Sequence, residues 1–310
     1  MSLKFAIAPC SWGIEDPENI DNPPWKTVLD EAGMSGFIGV ELGPYGYLPV
    51  NPSFLRDSLE SKQLNLIAGT LYDNLTGTAD LNNLKEKTRN ICRLLSEVLE
   101  SKQRGFIVII DRVNEMRNNT AGHPELARRM NTADWKLMME NIRIVSKIAA
   151  EEFGIRPVVH PHAGGFIEFN DETEKFLNDI PGNVAGLCLD TGHLYYAGDD
   201  PAQSLVKYSS RVDYVHFKDI NKDVYKNALE EKMGFFDACK LGVMCSIGRG
   251  CVDYRSVFSA LDRIDYSGWV TIEQERDPKD YRGTLDDIKM SYDYLVKTVE
   301  SRPGGEHRFL

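Results

Sequence analysis

The chain predicts an α/β fold, a (β/α)8 barrel, on three observations in its sequence. Eight apolar runs of strand length alternate with helical patterns along the chain, the arrangement that buries a parallel sheet beneath a layer of helices. Each of the last four runs stops abruptly in polar side chains able to bind a metal: VVHPH at 158–162, VAGLCLDTGH at 184–193, VDYVHFKD at 212–219 and WVTIEQERD at 269–277. The turn after the first run reads PCSWG, where a doubly wound open sheet, the nearest rival, usually carries a glycine-rich phosphate loop. A barrel of 310 residues fits one domain, expected over 1–300, with SRPGGEHRFL at 301–310 as a disordered tail.

Taken in order, the first strand is expected at Phe5–Ala8, before Pro9, Cys10, Ser11 and Trp12. Three prolines among the acids and amides of 15–24 make an ordered loop, and a helix then runs from Trp25 to about Gly33. The second strand, Gly36–Leu42, is stopped by Gly43 and Pro44, and its Glu41 is the first acid at a strand end. Pro52–Ser61 reads as a short helix and Leu64–Thr70 as the third strand. Leu84, Thr88, Ile91, Leu95 and Val98 recur at spacings of three and four, which makes Leu81–Lys102 a long amphipathic helix. Phe106–Ile110 is the fourth strand, ended by Asp111. The amide-rich stretch 114–123 reads as a lid or an exposed excursion, and Thr132 as the cap of a helix at Trp135–Phe153 closed by Gly154. Strands five to eight are expected at Arg156–His160, Val184–Leu189, Val212–Phe217 and Trp269–Ile272. Helices at Glu172–Asn178, Pro201–Tyr208, Tyr225–Leu241 and Tyr254–Ile264 separate them, and Ile288–Glu300 comes last.

Composition narrows the partners. A net charge of -11 argues against a nucleic-acid partner and against an anionic membrane surface, and favours a small molecule. Six scattered cysteines without a CxxC pair read as the reduced thiols of a cytoplasmic protein. No stretch of 18 uncharged apolar residues suggests a membrane anchor, and MSLKFAIAPCSW is too short in its apolar part for a signal peptide. Whether copies associate as a homo-oligomer stays open.

In a barrel of this kind the chemistry gathers where strands hand over to the following loops. Trp12, Glu41, Thr70, Asp111, His160, His162, Asp190, His193, His216, Lys218, Glu273 and Arg276 all belong to that rim, which takes four of the chain's six histidines. His160 and His162 share strand parity, so one is expected to bind metal and the other substrate, with His160 favoured as the ligand. Asp190 either caps the next turn or binds a cation. Lys218 either pairs with Asp219 or takes part in the chemistry. Glu41 and Asp111 are expected to orient ligands, and Trp12 to wall the pocket. Two histidines and two carboxylates form a mixed set that neutralises a divalent ion. Such a set suits Mn²⁺ or Co²⁺, with Zn²⁺, Fe²⁺ and Mg²⁺ as further candidates, better than oxygen-seeking Ca²⁺. GRG at 248–250 resembles a flexible binding loop.

LDTGH at 189–193, VHFKD at 215–219 and IEQERD at 272–277 resemble the xylose isomerase-like TIM barrel superfamily of sugar phosphate isomerases and epimerases. Within it, HPHAGGFIE at 160–168, ELGPYGYLP at 41–49 and the opening APCSWG are most similar to the inosose dehydratase branch. The resemblance implies a divalent metal on His160, Asp190, His216 and Glu273, with His193 contacting substrate hydroxyls. One departure stands out. Related epimerases carry a glutamate at the end of the fifth strand, so that two glutamates move protons on opposite faces of the substrate. Here His160 stands there, with Glu168 as a candidate replacement carboxylate from the loop.

The expected activity is therefore a metal-dependent dehydratase or isomerase of a cyclic polyol ketone or keto sugar. Glu273 or one of the histidines would remove the proton α to the carbonyl, and His193 or Lys218 would assist departure of the β-hydroxyl. Trp12, Glu41, His162 and Arg276 would contact the substrate. A sugar epimerase of the same superfamily, a metal-dependent endonuclease and a non-catalytic sugar-binding barrel are the alternatives. The endonuclease needs a basic face that the net charge does not provide.

Overall fold

A computed structural model describes residues 2–76, 81–99 and 104–301. Eight parallel strands pair edge to edge into a closed barrel: β1 (Leu3–Ile7), β2 (Gly39–Glu41), β3 (Asn65–Asp73), β4 (Phe106–Asp111), β5 (Arg156–Val159), β6 (Gly186–Asp190), β7 (Val212–Phe217) and, last in the chain, β10 (Gly268–Ile272). Closure runs through β1 and β10, with Phe5 opposite Val270 and Ile7 opposite Ile272. Between β7 and β10 a small antiparallel ribbon forms from β8 (Asp219–Ile220) and β9 (Met244–Cys245), which the sequence reading did not anticipate.

The strands read as near-continuous apolar runs because both faces are covered. Inside the barrel, Ala6, Ala68, Val108, Val158 and Cys188 pack around Phe106 and Tyr214, whose rings stack at 4.6 Å and 4°. Outside, the strands meet α1 (Trp25–Met34), α2 (Pro52–Glu60), α3 (Leu81–Val98), α4 (Glu115–Asn118), α5 (Thr132–Lys147), α6 (Asn170–Asp179), α7 (Thr191–Tyr196), α8 (Pro201–Lys207), α9 (Lys222–Glu230), α10 (Phe235–Lys240), α11 (Tyr254–Arg263) and α12 (Thr284–Glu300). The period of α3 buries Leu84, Thr88, Ile91, Leu95 and Val98 as its spacing required. Each large aliphatic side chain so buried contributes about 1.5–3 kcal/mol. The expected continuation of that helix to Lys102 lies outside the described residues, as does nearly all of the 301–310 tail.

Several elements depart from expectation for local reasons. Asn131, not Thr132, caps α5: its side chain accepts the N–H groups of Ala133 and Asp134, both at 3.0 Å. The single helix expected at 225–241 is two, α9 and α10, because the chain turns through Lys232 at φ 49°. Gly234 passes against Asn118, whose Oδ1 accepts the Phe235 N–H at 3.0 Å. The stretch 114–123 is not a free lid. Arg117, within α4, is fully buried and forms ion pairs with Glu172 at 2.7 Å and Glu168 at 3.2 Å, which rivets the segment to α6. Among the described residues no helix is long and apolar enough to cross a membrane, and all six cysteines are free.

Candidate active site

The C-terminal ends of β5, β6, β7 and β10 each deliver one polar side chain to a common point. Ligand atoms of His160, Asp190, His216 and Glu273 lie within 4.8 Å of one another, and all four residues are largely buried. The His160 Nε2 to Asp190 Oδ2 distance is 3.6 Å, and His216 Nδ1 lies 3.1 Å from Glu273 Oε2 and 3.9 Å from Asp190 Oδ2. Asp190 reconciles its two expected roles. Its Oδ1 accepts the His193 N–H at 2.8 Å and caps α7, while Oδ2 faces the cluster with no hydrogen-bond partner. His160 Nδ1 and both ring nitrogens of His216 are likewise buried without hydrogen bonds. Buried polar atoms are almost always satisfied, so the bare Asp190 Oδ2 and His216 Nδ1, with His160 Nε2 and the Glu273 carboxylate beside them, fit a divalent cation.

Beneath the cluster, Glu41 at the end of β2 accepts the Tyr214 hydroxyl at 2.6 Å and stands 2.9 Å from His216 Nε2. Burial alone would disfavour a charged His216 ring, but the surrounding Cys188, Glu273 and Glu41 outweigh it and raise the pKa well above its usual value. Burial similarly opposes charge on Glu273, yet His216 and Lys218 hold that carboxyl well below the ordinary range.

Lys218 is the electrostatic centre beside this cluster. Only 1% exposed, its Nζ contacts Glu275 and His193 Nε2 (3.0 Å), and lies 3.1 Å from Glu273 and 3.5 Å from Asp190. Burial works against the ammonium, but Asp190, Glu275 and Glu273 raise its pKa well above normal. The chain admits this side chain only because residue 192 is glycine, where a Cβ would sit 2.7 Å from Lys218 Cβ and Cγ. The expected pairing with Asp219 does not form. Asp219 instead accepts the N–H groups of Ile220, Gly248, Gly250 and Val252 at 2.8–3.0 Å, so the GRG loop wraps a carboxylate of its own chain.

A second group lies beside the first: His162, His193 and Glu275, again with ligand atoms within 4.8 Å. The two imidazoles lie 4.0 Å apart, tilted by 37°, beside Phe235, 5.1 Å from each ring, which is what the break between α9 and α10 delivers. His193 is met by a donor at each ring nitrogen, with the Ala163 N–H 3.1 Å from Nδ1 and the Lys218 ammonium 3.0 Å from Nε2. His162 Nδ1 lies 2.9 Å from the Ala163 carbonyl and must donate to it, which leaves Nε2 as an acceptor. Burial pushes the pKa of both rings well down, and Lys218 adds to that.

A cavity of about 280 Å³ opens onto these groups, lined by His160, His162, Lys218, Glu273 and Glu275 on one side. Glu41 reaches it from below. Two expected substrate contacts lie elsewhere. Trp12 is fully buried away from the cavity lining, its indole N–H donating to Glu31 at 2.6 Å, and Arg276 is paired with Asp287 on α12 at 2.9 Å. Glu168 is spent as well. Its carboxylate takes the N–H groups of Gly122 (2.7 Å) and Gly164 (3.0 Å) together with Arg117, so it faces the loop and not the cavity. Asp111 orients structure, not a ligand: it accepts N–H groups from Phe166 (2.9 Å) and Leu75 (3.3 Å), and burial pushes its pKa up to about 6. Glu275, Phe235 and Tyr214 were not singled out from sequence. Glu275 alone carried a signal, since it shares the parity of Glu273 two residues earlier.

The family model described as Xylose isomerase-like TIM barrel matches residues 29–294. The inosose dehydratase of Clostridium beijerinckii is 28% identical over 282 residues, covering 89% of this chain and 91% of that protein. Among solved structures, the D-allulose 3-epimerase from Methylomonas sp. in complex with D-allulose superposes with a TM-score of 0.69 at 17% identity, covering 96% and 97% of the two chains. The IOLI protein with a zinc atom superposes at 0.71 with 16% identity, covering 96% and 98%.

Proposed function

Since the chain belongs to the xylose isomerase-like TIM barrel family, we propose that it is a divalent-metal-dependent dehydratase of a cyclic polyol ketone, inosose-like, or of a keto sugar. The observation that carries the reading is the contact between an acid and a base. Lys218 Nζ lies 3.1 Å from Glu273 Oε2, beside a cluster whose bare donor atoms suit a divalent ion. Elimination needs one group to take the α-proton and another to protonate the departing hydroxyl.

His160, Asp190, His216 and Glu273 would hold the ion, with Mn²⁺ or Co²⁺ best suited to two nitrogens and two carboxylates. When bound there, such an ion supplies Lewis-acid polarisation of the substrate carbonyl. Glu273, 3.1 Å from the Lys218 ammonium, takes the proton α to the carbonyl. Lys218, kept charged by the carboxylates around it, gives a proton to the hydroxyl that leaves. His162, whose Nδ1 donates to the Ala163 carbonyl, presents an Nε2 lone pair as an acceptor suited to a hydroxyl of the substrate.

An epimerase reading needs a second base on the far side of the reacting carbon, and the candidate for it, Glu168, is committed to Arg117 and two backbone N–H groups. The test is chelation followed by add-back. Stripped protein should lose dehydration of inososes, read as ultraviolet absorbance of the enone or dione product, and recover it with Mn²⁺ or Co²⁺. Full turnover without metal would refute the assignment.

A further inference from the structure

One carboxyl group on the cavity wall has no duty in the fold. Glu15 lines the cavity from the loop after β1, and the residues before it fix where that loop runs. Trp12 is anchored by its indole N–H on Glu31 at 2.6 Å, and the chain then turns through Gly13 at φ 82°. Glycine is needed there on two counts: the backbone is left-handed, and a Cβ would come 2.5 Å from the Pro278 nitrogen and 2.7 Å from the Arg276 carbonyl, in the segment that follows β10. Ile14 is buried at the cavity edge, and Glu15 comes next, open to solvent through the mouth. Among the described residues Glu15 forms no hydrogen bond and no ion pair. Its ionisable neighbours on this wall are engaged by contrast. Lys87 pairs with Asp73 at 2.6 Å, and Tyr72 Oη accepts the Val113 N–H at 2.9 Å. The enclosing walls, and then Glu275 and Glu273, raise the Glu15 carboxyl to about 8, with Lys218 opposing. A third carboxyl group turned towards two others gains nothing from the fold. It gains from a ligand that brings hydroxyl donors.

We propose that Glu15 is a specificity-determining residue, which accepts a hydrogen bond from the hydroxyl on the ring carbon opposite the ketone and so selects a polyol ring over one lacking that group. The substrate is the one proposed above, so the assignment rests on the dehydratase reading for its ligand. At about 280 Å³ the cavity is at the small end of ligand pockets, suited to a single six-membered ring. A ring whose ketone faces His160, Asp190, His216 and Glu273 turns its opposite carbon towards the wall that carries Glu15, with the hydroxyls of Tyr45 and Thr70 on the same wall. A site that hydrogen-bonds a substrate hydroxyl rejects the analogue without it, because the protein group is left unpaired. Glu15 is remote from the carbons that react. Its contact is therefore the same before and during the reaction, and losing it weakens binding while leaving the chemical step alone.

Metal-loaded native protein and Glu15→Ala, compared on 2-keto-myo-inositol and on its 5-deoxy analogue by initial rates, test this. For Glu15→Ala the KM of the full inosose should rise on the order of tenfold, the share of one hydrogen bond to a carboxyl group, with kcat within about twofold of native. On the 5-deoxy analogue the two proteins should agree, since neither can make the contact, and native protein should itself show a KM raised by a similar factor. Glu15→Gln keeps an accepting oxygen and should recover most of the affinity for the full inosose. An equal loss on both compounds, no loss on either, or a loss in kcat alone overturns the assignment. Native protein that turns over neither compound overturns the dehydratase reading instead. Calorimetric titration of both proteins with both compounds then decides Glu15 by the same comparison of dissociation constants, and absence of binding in every titration overturns both.

Discussion

Replacing Glu41 by Gln isolates the support beneath the proposed metal cluster. The carboxylate lies 2.9 Å from His216 Nε2 and accepts the Tyr214 hydroxyl at 2.6 Å, so it fixes the ring from below while Nδ1 faces Glu273 and Asp190. Carboxylates behind ligating histidines raise ligand basicity and hold orientation, and losing one weakens metal affinity by roughly 10–100-fold, about 1.4–2.7 kcal/mol. Glutamine keeps an oxygen for Tyr214 and nearly the same volume, so the fold should survive with its melting temperature little changed. The full loss should therefore fall on the cation. Titration of metal-free protein with Mn²⁺ or Co²⁺ by calorimetry measures it, and catalysis at saturating metal should stay near the native level. A dissociation constant unchanged within twofold would refute the supporting role of Glu41. A large fall in melting temperature without metal would show instead that Glu41 acts mainly as a partner of Tyr214.

Asp190 offers a separation of its two oxygens. Asp190→Ala should abolish metal retention on elemental analysis and also lose the cap of α7, about 1 kcal/mol, whereas Asp190→Asn should keep the cap through its side-chain oxygen and still release the metal. Metal content unchanged in both variants would remove Asp190 from the proposed ligand set. Asp111 predicts a pH dependence. Its folded pKa of about 6 is raised above an unfolded value near 3.9, so its contribution is fully present below that lower value and is lost as pH rises through about 6. The loss amounts to ~3 kcal/mol. Urea unfolding of wild type and Asp111→Asn between pH 4 and pH 7 should show a difference in stability that changes by that order across this window. Parallel pH profiles for the two proteins would show that Asp111 titrates normally.

The barrel was legible because a parallel strand buried on both faces must be apolar throughout and must stop where it meets the rim. FIVII before Asp111 and GLCL before Asp190 announce both facts with no tertiary information. Loops obey no such period. The side chains misplaced by sequence reasoning are those whose partners lie far along the chain: Arg276 meets Asp287, Trp12 meets Glu31, and Glu168 is claimed by Arg117, 51 residues earlier. Each is a polar residue next to a strand end, and adjacency in sequence says nothing about which neighbour will take its charge. Glu275 shows the reverse failure. Periodicity places it beside Glu273, yet β10 ends at Ile272, so alternation alone does not establish that the following residues stay extended. Both side chains nonetheless reach Lys218, and the consequence is chemical as well as geometric. Two carboxylates two residues apart meet one buried lysine just past the end of β7. Together with Asp190, Glu275 and Glu273 stabilise an ammonium that would otherwise be costly to bury, and that shared charge keeps an acid available beside a base.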